Sequence, residues 1–180
     1  MVPPETISLH DLRFGPFLSR AAIAQRVGEL GEQLRADYQG RCPVFLVVLN
    51  GSFLFAADLV RAYGENCTVS FVKMHSYHGT ASSGTVHVDL GPGDSLRGQD
   101  VIIVEDIVDS GQTLHHFLPL LRATGPASVK LCTLLHKPAA TVHPIPVDYC
   151  GFEIPNAFVV GYGLDYDGLG RNLTDIWQVM

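Results

Sequence analysis

The chain has 180 residues, of which 47% are hydrophobic and 17% are charged, and its formal net charge is −6. This size and composition suit one soluble globular α/β domain with a single core, and they exclude a disordered chain. The acidic balance argues against broad nucleic-acid binding through a basic face, and no apolar run approaches the roughly 20 residues that a membrane span needs.

The first predicted element is a helix in the N-terminal quarter of the chain. The segment before it, MVPPETISLHDL, carries no signal-peptide pattern, so we expect a cytoplasmic protein. Ile23, Val27, Leu30 and Leu34 recur at helical spacing, which predicts a helix that covers one face of a core. The four cysteines form no C-x-x-C pair and no zinc-finger spacing, so we interpret them as reduced packing residues.

The next elements form a strand, a helix and a second strand. PVFLVVLN, residues 43–50, is a continuous apolar run that is typical of a strand buried on both faces of a parallel sheet. FLFAADLVRAY indicates a helix and CTVSFVKM, residues 67–74, a second strand, so this region predicts a βαβ unit. Residues 67–90 as a whole suggest two strands joined by a long polar loop, and such loops often act as lids.

The second half of the chain repeats this order before it changes character. DVIIVEDI, residues 100–107, predicts a third buried strand, and SVKLCTLLHK predicts a fourth. The helix between them contains Pro119, which should kink or shorten it. The remaining residues are rich in glycine, proline and aromatic side chains, and they indicate one short strand around 158–161 within irregular structure.

The stretch VEDIVDSGQT, residues 104–113, carries the main functional signal. An apolar strand leads through acidic residues to Asp109, Ser110 and Gly111 and then to a helix. Small residues let the backbone approach an anion closely, and the N–H groups at a helix N-terminus attract negative charge. The stretch therefore predicts an anion site, and because it lacks the Gly-Lys-Ser/Thr of a nucleotide P-loop we do not expect a triphosphate cradle.

The carboxylates indicate that the ligand carries a sugar as well as a phosphate. Glu105 and Asp106 stand at the carboxyl end of the strand, where open α/β sheets bind their ligands, and carboxylates accept hydrogen bonds from sugar hydroxyls. The local alternatives are that Asp109 or Ser110 merely caps the helix, and that Glu105 and Asp106 form a solvated strand end. Three carboxylates at this spacing favour a sugar-phosphate site.

VIIVEDIVDSGQT closely resembles the phosphoribosyl pyrophosphate signature of type I phosphoribosyltransferases. LNGSFLFAADL is similar to the pyrophosphate loop of that family, SYHGT to its mobile catalytic loop, and LLHKP with GFEIPNAFVVGYGLDY to its base-binding end. Together these segments cover most of residues 43–175. The last one resembles the hypoxanthine (hypoxanthine-guanine) phosphoribosyltransferase branch, rather than the adenine, orotate or uracil branches.

The resemblance implies a fold and a reaction. The fold is α/β, with a mostly parallel twisted sheet flanked by helices. It forms a single domain over residues 1–180, with a small irregular base-binding hood from about 150–180 and help from the N-terminus. The reaction is the Mg²⁺-dependent transfer of the phosphoribosyl group of phosphoribosyl pyrophosphate to a 6-oxopurine, which gives a nucleoside monophosphate and pyrophosphate. We expect the protein to use hypoxanthine and guanine, to form a homodimer or homotetramer, and to have no nucleic-acid or membrane partner.

The resemblance also assigns roles around the signature. Asp109 is the general base for the proton on the five-membered ring of the purine. Glu105 and Asp106 hold the ribose hydroxyls together with Mg²⁺. The 5′-phosphate is bound by Ser110, Gly111, Gln112 and Thr113.

Two loops complete the predicted catalytic machinery. Ser76 and Tyr77 match the mobile loop, which closes over the site and excludes water from an oxocarbenium-like transition state. Pyrophosphate is bound by Leu49, Asn50, Gly51 and Arg171. Asn50 departs from the lysine or arginine that is frequent in this loop, where family members hold a cis peptide bond that does not precede proline.

The base-binding residues lie towards the C-terminus. Lys137 is expected to donate to the exocyclic oxygen of a 6-oxopurine, Phe158 to stack on the ring, and the Val159 backbone to read the base edge. Asp165 lies beside the base and binds Mg²⁺, directly or through water. The alternatives are a surface lysine whose charged end reaches water, a core phenylalanine, a turn aspartate and, at Arg171, an exposed arginine.

Two other functions remain open from the sequence. One is a regulatory protein of the same fold that senses a nucleotide or phosphoribosyl pyrophosphate and binds nucleic acid. The acidic charge and the retention of Asp109, Ser76, Tyr77 and Lys137 favour the enzyme. The other is an enzyme of this fold that uses another base, such as xanthine or a pyrimidine.

Overall fold

The computed structural model describes residues 5–75, 87–90 and 96–180. Within those ranges the helices are α1 (Arg20–Asp37), α2 (Phe53–Tyr63) and α3 (Gln112–Ala123), and a short 3₁₀ turn spans Pro138–Ala140. The strands are β1 (Ile7–Leu9), β2 (Leu12–Leu18), β3 (Val44–Leu49), β4 (Thr68–His75), β5 (His87–Leu90), β6 (Asp100–Val108), β7 (Ser128–His136), β8 (Tyr149–Glu153), β9 (Val159–Val160) and β10 (Ile176–Val179).

The main sheet has six strands in the order β5-β4-β3-β6-β7-β8. Its neighbours pair in parallel except at one edge, where β5 runs antiparallel to β4. Because side chains alternate along a strand, Phe45 and Val47 of β3 pack on the face that α1 and α2 cover. Val44, Leu46 and Val48 pack on the face that α3 covers. The predicted fold class is therefore confirmed, with the central strands buried on both faces.

The helices begin and end largely where local chemistry predicts. α1 begins after Ser19, whose hydroxyl accepts a hydrogen bond from the Ala22 N–H at 3.2 Å, as an N-cap side chain does. α3 continues through Pro119 to Ala123, so this proline does not end the helix. Pro119 is exposed, and water can therefore satisfy the backbone carbonyl that proline leaves without a donor.

A second, antiparallel sheet joins the two ends of the chain in the order β1-β2-β10-β9. Phe14, Val160 and Trp177 form its small core. The predicted hood contains this four-stranded sheet, and the N-terminal residues supply half of its strands. Residues 161–175 between β9 and β10 form turns and isolated bridges, as the expected irregular structure implies. Pairing with β2 makes an extended strand of residues 176–179, which carry no periodicity of their own.

The cysteines are free, but they do not all pack in the core. Cys132 is fully buried between the main sheet and the α1–α2 layer. Cys42 is exposed, so our interpretation of all four cysteines as packing residues is wrong for this one. In the described part of the chain, no helix is both long enough and apolar enough to cross a membrane.

Candidate active site

The candidate site is a cavity of about 300 Å³ at the carboxyl ends of β3 and β6. Parallel α/β sheets bind their ligands at this edge, because the loops that follow neighbouring strands meet there. Its walls include twelve predicted residues: Leu49, Asn50, Gly51, Glu105, Asp106, Asp109, Ser110, Gly111, Gln112, Thr113, Asp165 and Arg171. Ser76 and Tyr77 lie outside the described residues.

The loop between β6 and α3 has the backbone geometry of an anion site. Gly111 is buried at φ +77°, and a Cβ atom there would lie 2.3 Å from the carbonyl oxygen of His143. The Ser110 carbonyl accepts hydrogen bonds from the backbone N–H groups of Val142 and His143, which holds the loop in place. α3 begins directly after Gly111, so its first N–H groups face the cavity. The N-cap is therefore Gly111, rather than Asp109 or Ser110.

Glu105 and Asp106 form a half-buried carboxylate pair in the cavity wall. Burial, followed by the neighbouring charge of Asp106, raises the pKa of Glu105 well above its ordinary value. Burial also raises the pKa of Asp106, although hydrogen bonds to this carboxylate, including one from the Ile107 N–H, oppose that rise. Oε2 of Glu105 is buried and has no hydrogen-bond partner among the described residues. A buried acceptor of this kind is suited to a ligand hydroxyl or a cation.

The segment Leu49–Gly51 packs directly against this pair. The peptide bond between Leu49 and Asn50 is cis, as the resemblance implies. A Cβ atom on Gly51 would lie only 1.5 Å from Oδ2 of Asp106, so only glycine fits there without moving the carboxylate. On the other side, a Cβ atom on Gly163 would lie 2.0 Å from the carbonyl oxygen of Gly51. The loop is thus enclosed between the β6 carboxylates and the C-terminal segment.

Asp165 and Arg171 form the wall opposite β6. Their side chains form an ion pair with Arg171 Nη2 2.5 Å from Asp165 Oδ1, and Nη1 of Arg171 donates to the Gly163 carbonyl at 2.6 Å. The other Asp165 oxygen accepts from the Gly168 N–H at 2.7 Å. Arg171 is therefore a fixed cation on the cavity wall, rather than an exposed surface arginine.

The acids on this wall do not form a ready-made metal cage. Among the described residues, no three acidic, histidine or cysteine side chains converge on one point. Glu105, Asp106 and Asp165 nevertheless share the cavity and offer carboxylate oxygens, the ligand type that Mg²⁺ prefers. The unpartnered Oε2 of Glu105 fits such a cation as well. The residues therefore fit Mg²⁺ if water and the phosphates of a ligand complete its coordination shell.

Lys137 is buried and pairs with Asp109. Its Nζ lies 2.8 Å from Oδ2 of Asp109, and its side chain is only 7% exposed, whereas that of Asp109 is 50% exposed. The Lys137 N–H donates to the Val108 carbonyl at 2.9 Å, which fixes the end of β7 beside the end of β6. The alternative of a solvated surface lysine is therefore wrong. Lys137 itself does not line the cavity, but the ion pair joins it to Asp109, which does.

Val159 begins β9 of the second sheet and Phe158 directly precedes it, and neither residue lines this cavity. The Phe158 ring is 41% exposed, with the Tyr166 ring edge-on at 5.6 Å and the Phe14 ring tilted at 6.1 Å. Phe158 therefore keeps an exposed surface while its neighbours fix it, so the alternative of a core phenylalanine is wrong. Val159 is buried and pairs with Gln178.

Sequence reasoning missed some residues that shape the site. Gly163 has no role in the sequence prediction, although its contact with Gly51 closes the cavity wall. Tyr166 is missed as well, although its ring orients Phe158. The signal for Gly163 was present in the repeated glycines of VVGYGLD, which imply backbone positions that exclude side chains.

The chain is similar to known phosphoribosyltransferases over most of its length. The family model of the phosphoribosyl transferase domain matches residues 17–167. The hypoxanthine-guanine phosphoribosyltransferase of Streptococcus pneumoniae R6 is 43% identical over 157 residues, which are 87% of this chain and 87% of that protein. The bifunctional protein TilS/HprT of Listeria innocua is 42% identical over 92% of this chain, which spans 26% of that protein. The crystal structure of a hypoxanthine phosphoribosyltransferase from Staphylococcus aureus is 40% identical, with a TM-score of 0.86 and coverage of 92% of this chain and 90% of that one.

Proposed function

The chain belongs to the phosphoribosyltransferase family, in its hypoxanthine-guanine branch, and on this premise we propose that it is a purine salvage enzyme. It transfers the 5-phosphoribosyl group of phosphoribosyl pyrophosphate to hypoxanthine or guanine, gives IMP or GMP, and releases pyrophosphate. The observation that carries the proposal is the cavity, because the β6–α3 loop, a carboxylate pair and an arginine all line it.

The sugar phosphate spans the loop between β6 and α3. Residues 110–113 bind the 5′-phosphate through their backbone N–H groups and hydroxyls, a role that the tight turn at Gly111 supports. Glu105 and Asp106 accept hydrogen bonds from the ribose hydroxyls. Both ends of the ribose phosphate are thus held, which fixes C1 of the ribose between Asp109 and the pyrophosphate wall.

Pyrophosphate lies between Leu49–Gly51 and Arg171. Backbone N–H groups of the loop and the fixed guanidinium of Arg171 offset its charge. Asn50 is exposed and supplies a neutral polar side chain where relatives of this family often carry a cation. Arg171 therefore contributes a larger share of pyrophosphate binding in this chain than it does where that loop is charged.

The close contact between Gly51 and Asp106 makes a test of this arrangement. We expect Gly51→Ala to weaken binding of phosphoribosyl pyrophosphate about tenfold, because the new methyl group must displace the Asp106 carboxylate or the loop. Titration calorimetry measures the affinity. Gly28→Ala in α1 is the matched control, since no atom lies within 4 Å of the Cβ that it adds. Unchanged affinity in Gly51→Ala would mean that neither group contacts the ligand.

Proton transfer is the role of Asp109, assisted by Lys137. As the ring nitrogen of the purine bonds to C1 and the bond to pyrophosphate breaks, the Asp109 carboxylate accepts the proton of the five-membered ring. Lys137 donates to the 6-oxygen of the base, where a carbonyl accepts and the amino group of adenine does not. The 2.8 Å ion pair between the two side chains supports this arrangement, because it holds the Lys137 donor beside Asp109, which lines the cavity.

Two further groups support the reaction. Ser76 and Tyr77, which lie outside the described residues, are assigned by the resemblance to the exclusion of water, which would otherwise hydrolyse the oxocarbenium-like centre. Glu105, Asp106 and Asp165 hold Mg²⁺ together with ligand oxygens. When bound, the cation neutralises charge on the pyrophosphate and orients it as a leaving group.

The base stacks on Phe158, and the Val159 backbone reads its edge. The exposed surface of Phe158 and the fixed orientation of its ring support this role. We further propose that residues 1–180 act as a single domain in the cytoplasm, as a homodimer or homotetramer, without a nucleic-acid or membrane partner.

The test of this function is a panel of bases. The protein is mixed with Mg²⁺, phosphoribosyl pyrophosphate and hypoxanthine, guanine, xanthine, adenine or uracil in turn, while nucleotide and pyrophosphate are both measured. We expect turnover with hypoxanthine and guanine and none with adenine or uracil. Binding of phosphoribosyl pyrophosphate without turnover of any base would contradict the enzyme and favour a ligand sensor. Turnover with xanthine or uracil alone would instead contradict the choice of base.

A further inference from the structure

Two segments that the proposed function assigns to pyrophosphate meet at two separate points. The first is the backbone contact in which Gly163 faces the carbonyl oxygen of Gly51. The second lies one residue earlier on the C-terminal segment, where the Tyr162 hydroxyl donates to Oδ2 of Asp58 at 2.7 Å. Asp58 belongs to α2, the helix that begins directly after Gly51 and Ser52. The C-terminal segment therefore meets the pyrophosphate loop at Gly51 and meets the helix that follows this loop at Asp58.

The two contacts differ in kind. The Gly163–Gly51 contact is a close approach between backbones, which limits how near the segments come but does not hold them together. The contact between Tyr162 and Asp58 is a hydrogen bond to a carboxylate, which is the stronger class of hydrogen bond. Tyr162 is 8% exposed, so water competes poorly for the phenol. This hydrogen bond therefore adds a directional attraction to the apolar packing of Tyr162 against α2 in the core.

The phenol is a constant donor. Burial, followed by the hydrogen bond to Asp58 and the charge of that carboxylate, raises the pKa of Tyr162 above its ordinary value. The hydroxyl hence stays protonated throughout the neutral range. The Tyr162 backbone also has a φ of +48°, a left-handed conformation that few residues other than glycine adopt. Two flanking glycines, Gly161 and Gly163, adopt positive φ as well, so this turn directs a large side chain away from the cavity and towards α2.

The turn also connects to the residues that bind charge. Arg171 donates to the Gly163 carbonyl at 2.6 Å, and the Gly163 N–H donates to the Arg171 carbonyl at 3.0 Å. The Tyr162 N–H donates to the Leu173 carbonyl at 2.8 Å. A shift of Tyr162 would thus move Arg171, and with it the Asp165 side chain that Arg171 binds.

We propose that Tyr162 and Asp58 are positioning residues that set the distance between the pyrophosphate loop and the Asp165–Arg171 wall. The inference rests on the proposed function, because in that function the pyrophosphate loop and the Asp165–Arg171 wall bind the same pyrophosphate group. Neither side chain touches the substrate. Their hydrogen bond acts through Gly163 and Arg171 on one side and through α2 and Gly51 on the other.

Tyr162→Phe is the direct test, because it removes only the hydroxyl. We expect the KM for phosphoribosyl pyrophosphate to rise about tenfold, as loss of a hydrogen bond to a charged group allows, while the KM for hypoxanthine stays within about twofold. In the proposed site Lys137, Phe158 and Val159 hold the base and Asp165 acts on it only through Mg²⁺, so a positioning role at pyrophosphate separates the two constants. Equal changes in both KM values, or no change in either, would overturn the inference.

Two kinds of control separate positioning from general stability. Tyr149→Phe removes an equivalent bond, from the Tyr149 hydroxyl to Oδ2 of Asp37 at 2.7 Å, which joins β8 to α1 away from the cavity. It should alter the melting temperature without changing either KM. On the acceptor side, Asp58→Asn keeps an oxygen for the phenol and should have a smaller effect than Asp58→Ala. A Tyr149→Phe variant with the same KM pattern as Tyr162→Phe would overturn the proposal.

A direct binding measurement tests the inference separately from the proposed function. Calorimetry with phosphoribosyl pyrophosphate and Mg²⁺ measures Kd for the wild type and for Tyr162→Phe without any turnover. If the wild type binds phosphoribosyl pyrophosphate and Tyr162→Phe binds it with the same Kd, only the inference is overturned. A wild type that binds no phosphoribosyl pyrophosphate overturns the proposed function, and the inference falls with it.

Discussion

Asp109→Asn is expected to lower kcat for nucleotide formation from hypoxanthine by about 100- to 1000-fold, the usual range for loss of a general base. The Kd for phosphoribosyl pyrophosphate should stay within about twofold, because hydrogen bonds from residues 110–113 and the charge of Arg171 account for most of that affinity in the proposed site. Rapid-quench turnover and calorimetry measure the two quantities separately.

The geometry explains why Asp109→Asn removes the proton acceptor without changing the rest of the site. Asparagine has nearly the same shape as aspartate, and its side-chain oxygen can still accept the hydrogen bond that Lys137 donates at 2.8 Å. The backbone of the loop is held by bonds at the Ser110 carbonyl, which the substitution does not touch. The variant therefore keeps the architecture of the site and loses the group that accepts a proton.

A surface ion pair supplies the control. Lys130 and Asp148 form a lysine–aspartate pair at 2.7 Å near the start of β7, away from the cavity, so Asp148→Asn should leave kcat unchanged. If Asp109→Asn keeps full turnover, Asp109 is not the base. If it loses affinity for phosphoribosyl pyrophosphate as much as turnover, Asp109 binds the sugar instead.

The parts of the fold that the sequence predicted are those with strong local patterns. The apolar runs at 43–50 and 100–107 became β3 and β6 within a residue or so, because a strand buried on both faces needs apolar side chains at every position. The β6–α3 loop could also be predicted from the sequence, because a tight turn before a helix restricts the residue types at Ser110 and Gly111. Most of the cavity wall follows from these two strands and the loops after them.

The parts that the sequence did not predict depend on partners far away in the chain. β10 is a strand only because it pairs with β2 and β9. Lys137 and Asp109 stand 28 positions apart, and their ion pair depends on the register between β6 and β7. No local pattern reports such contacts, because neither residue is unusual until the strands bring the two together.

Lys137→Met is expected to lower kcat/KM for hypoxanthine about 100-fold, since a site built around a hydrogen bond to the base loses discrimination and affinity when the donor is removed. Methionine has a similar length and fills the volume that the lysine side chain occupies. Asp109 is half exposed, so water solvates the charge that loses its partner, and the fold should tolerate the change. Activity with adenine should not rise, because the substitution removes a donor without adding an acceptor for an amino group.

Three comparisons decide whether Lys137 acts on the base or only on Asp109. Lys137→Gln keeps a neutral donor and should retain more hypoxanthine activity than the methionine variant, whereas Lys130→Met removes an exposed, paired lysine and should change nothing. The decisive measurement is the KM for hypoxanthine in Lys137→Met beside that in Asp109→Asn. A donor to the 6-oxygen raises this KM while the base variant mainly lowers kcat. If Lys137→Met reproduces the Asp109→Asn pattern instead, with kcat lost and KM kept, then Lys137 serves to orient Asp109 and selection of 6-oxopurines must come from the Val159 backbone.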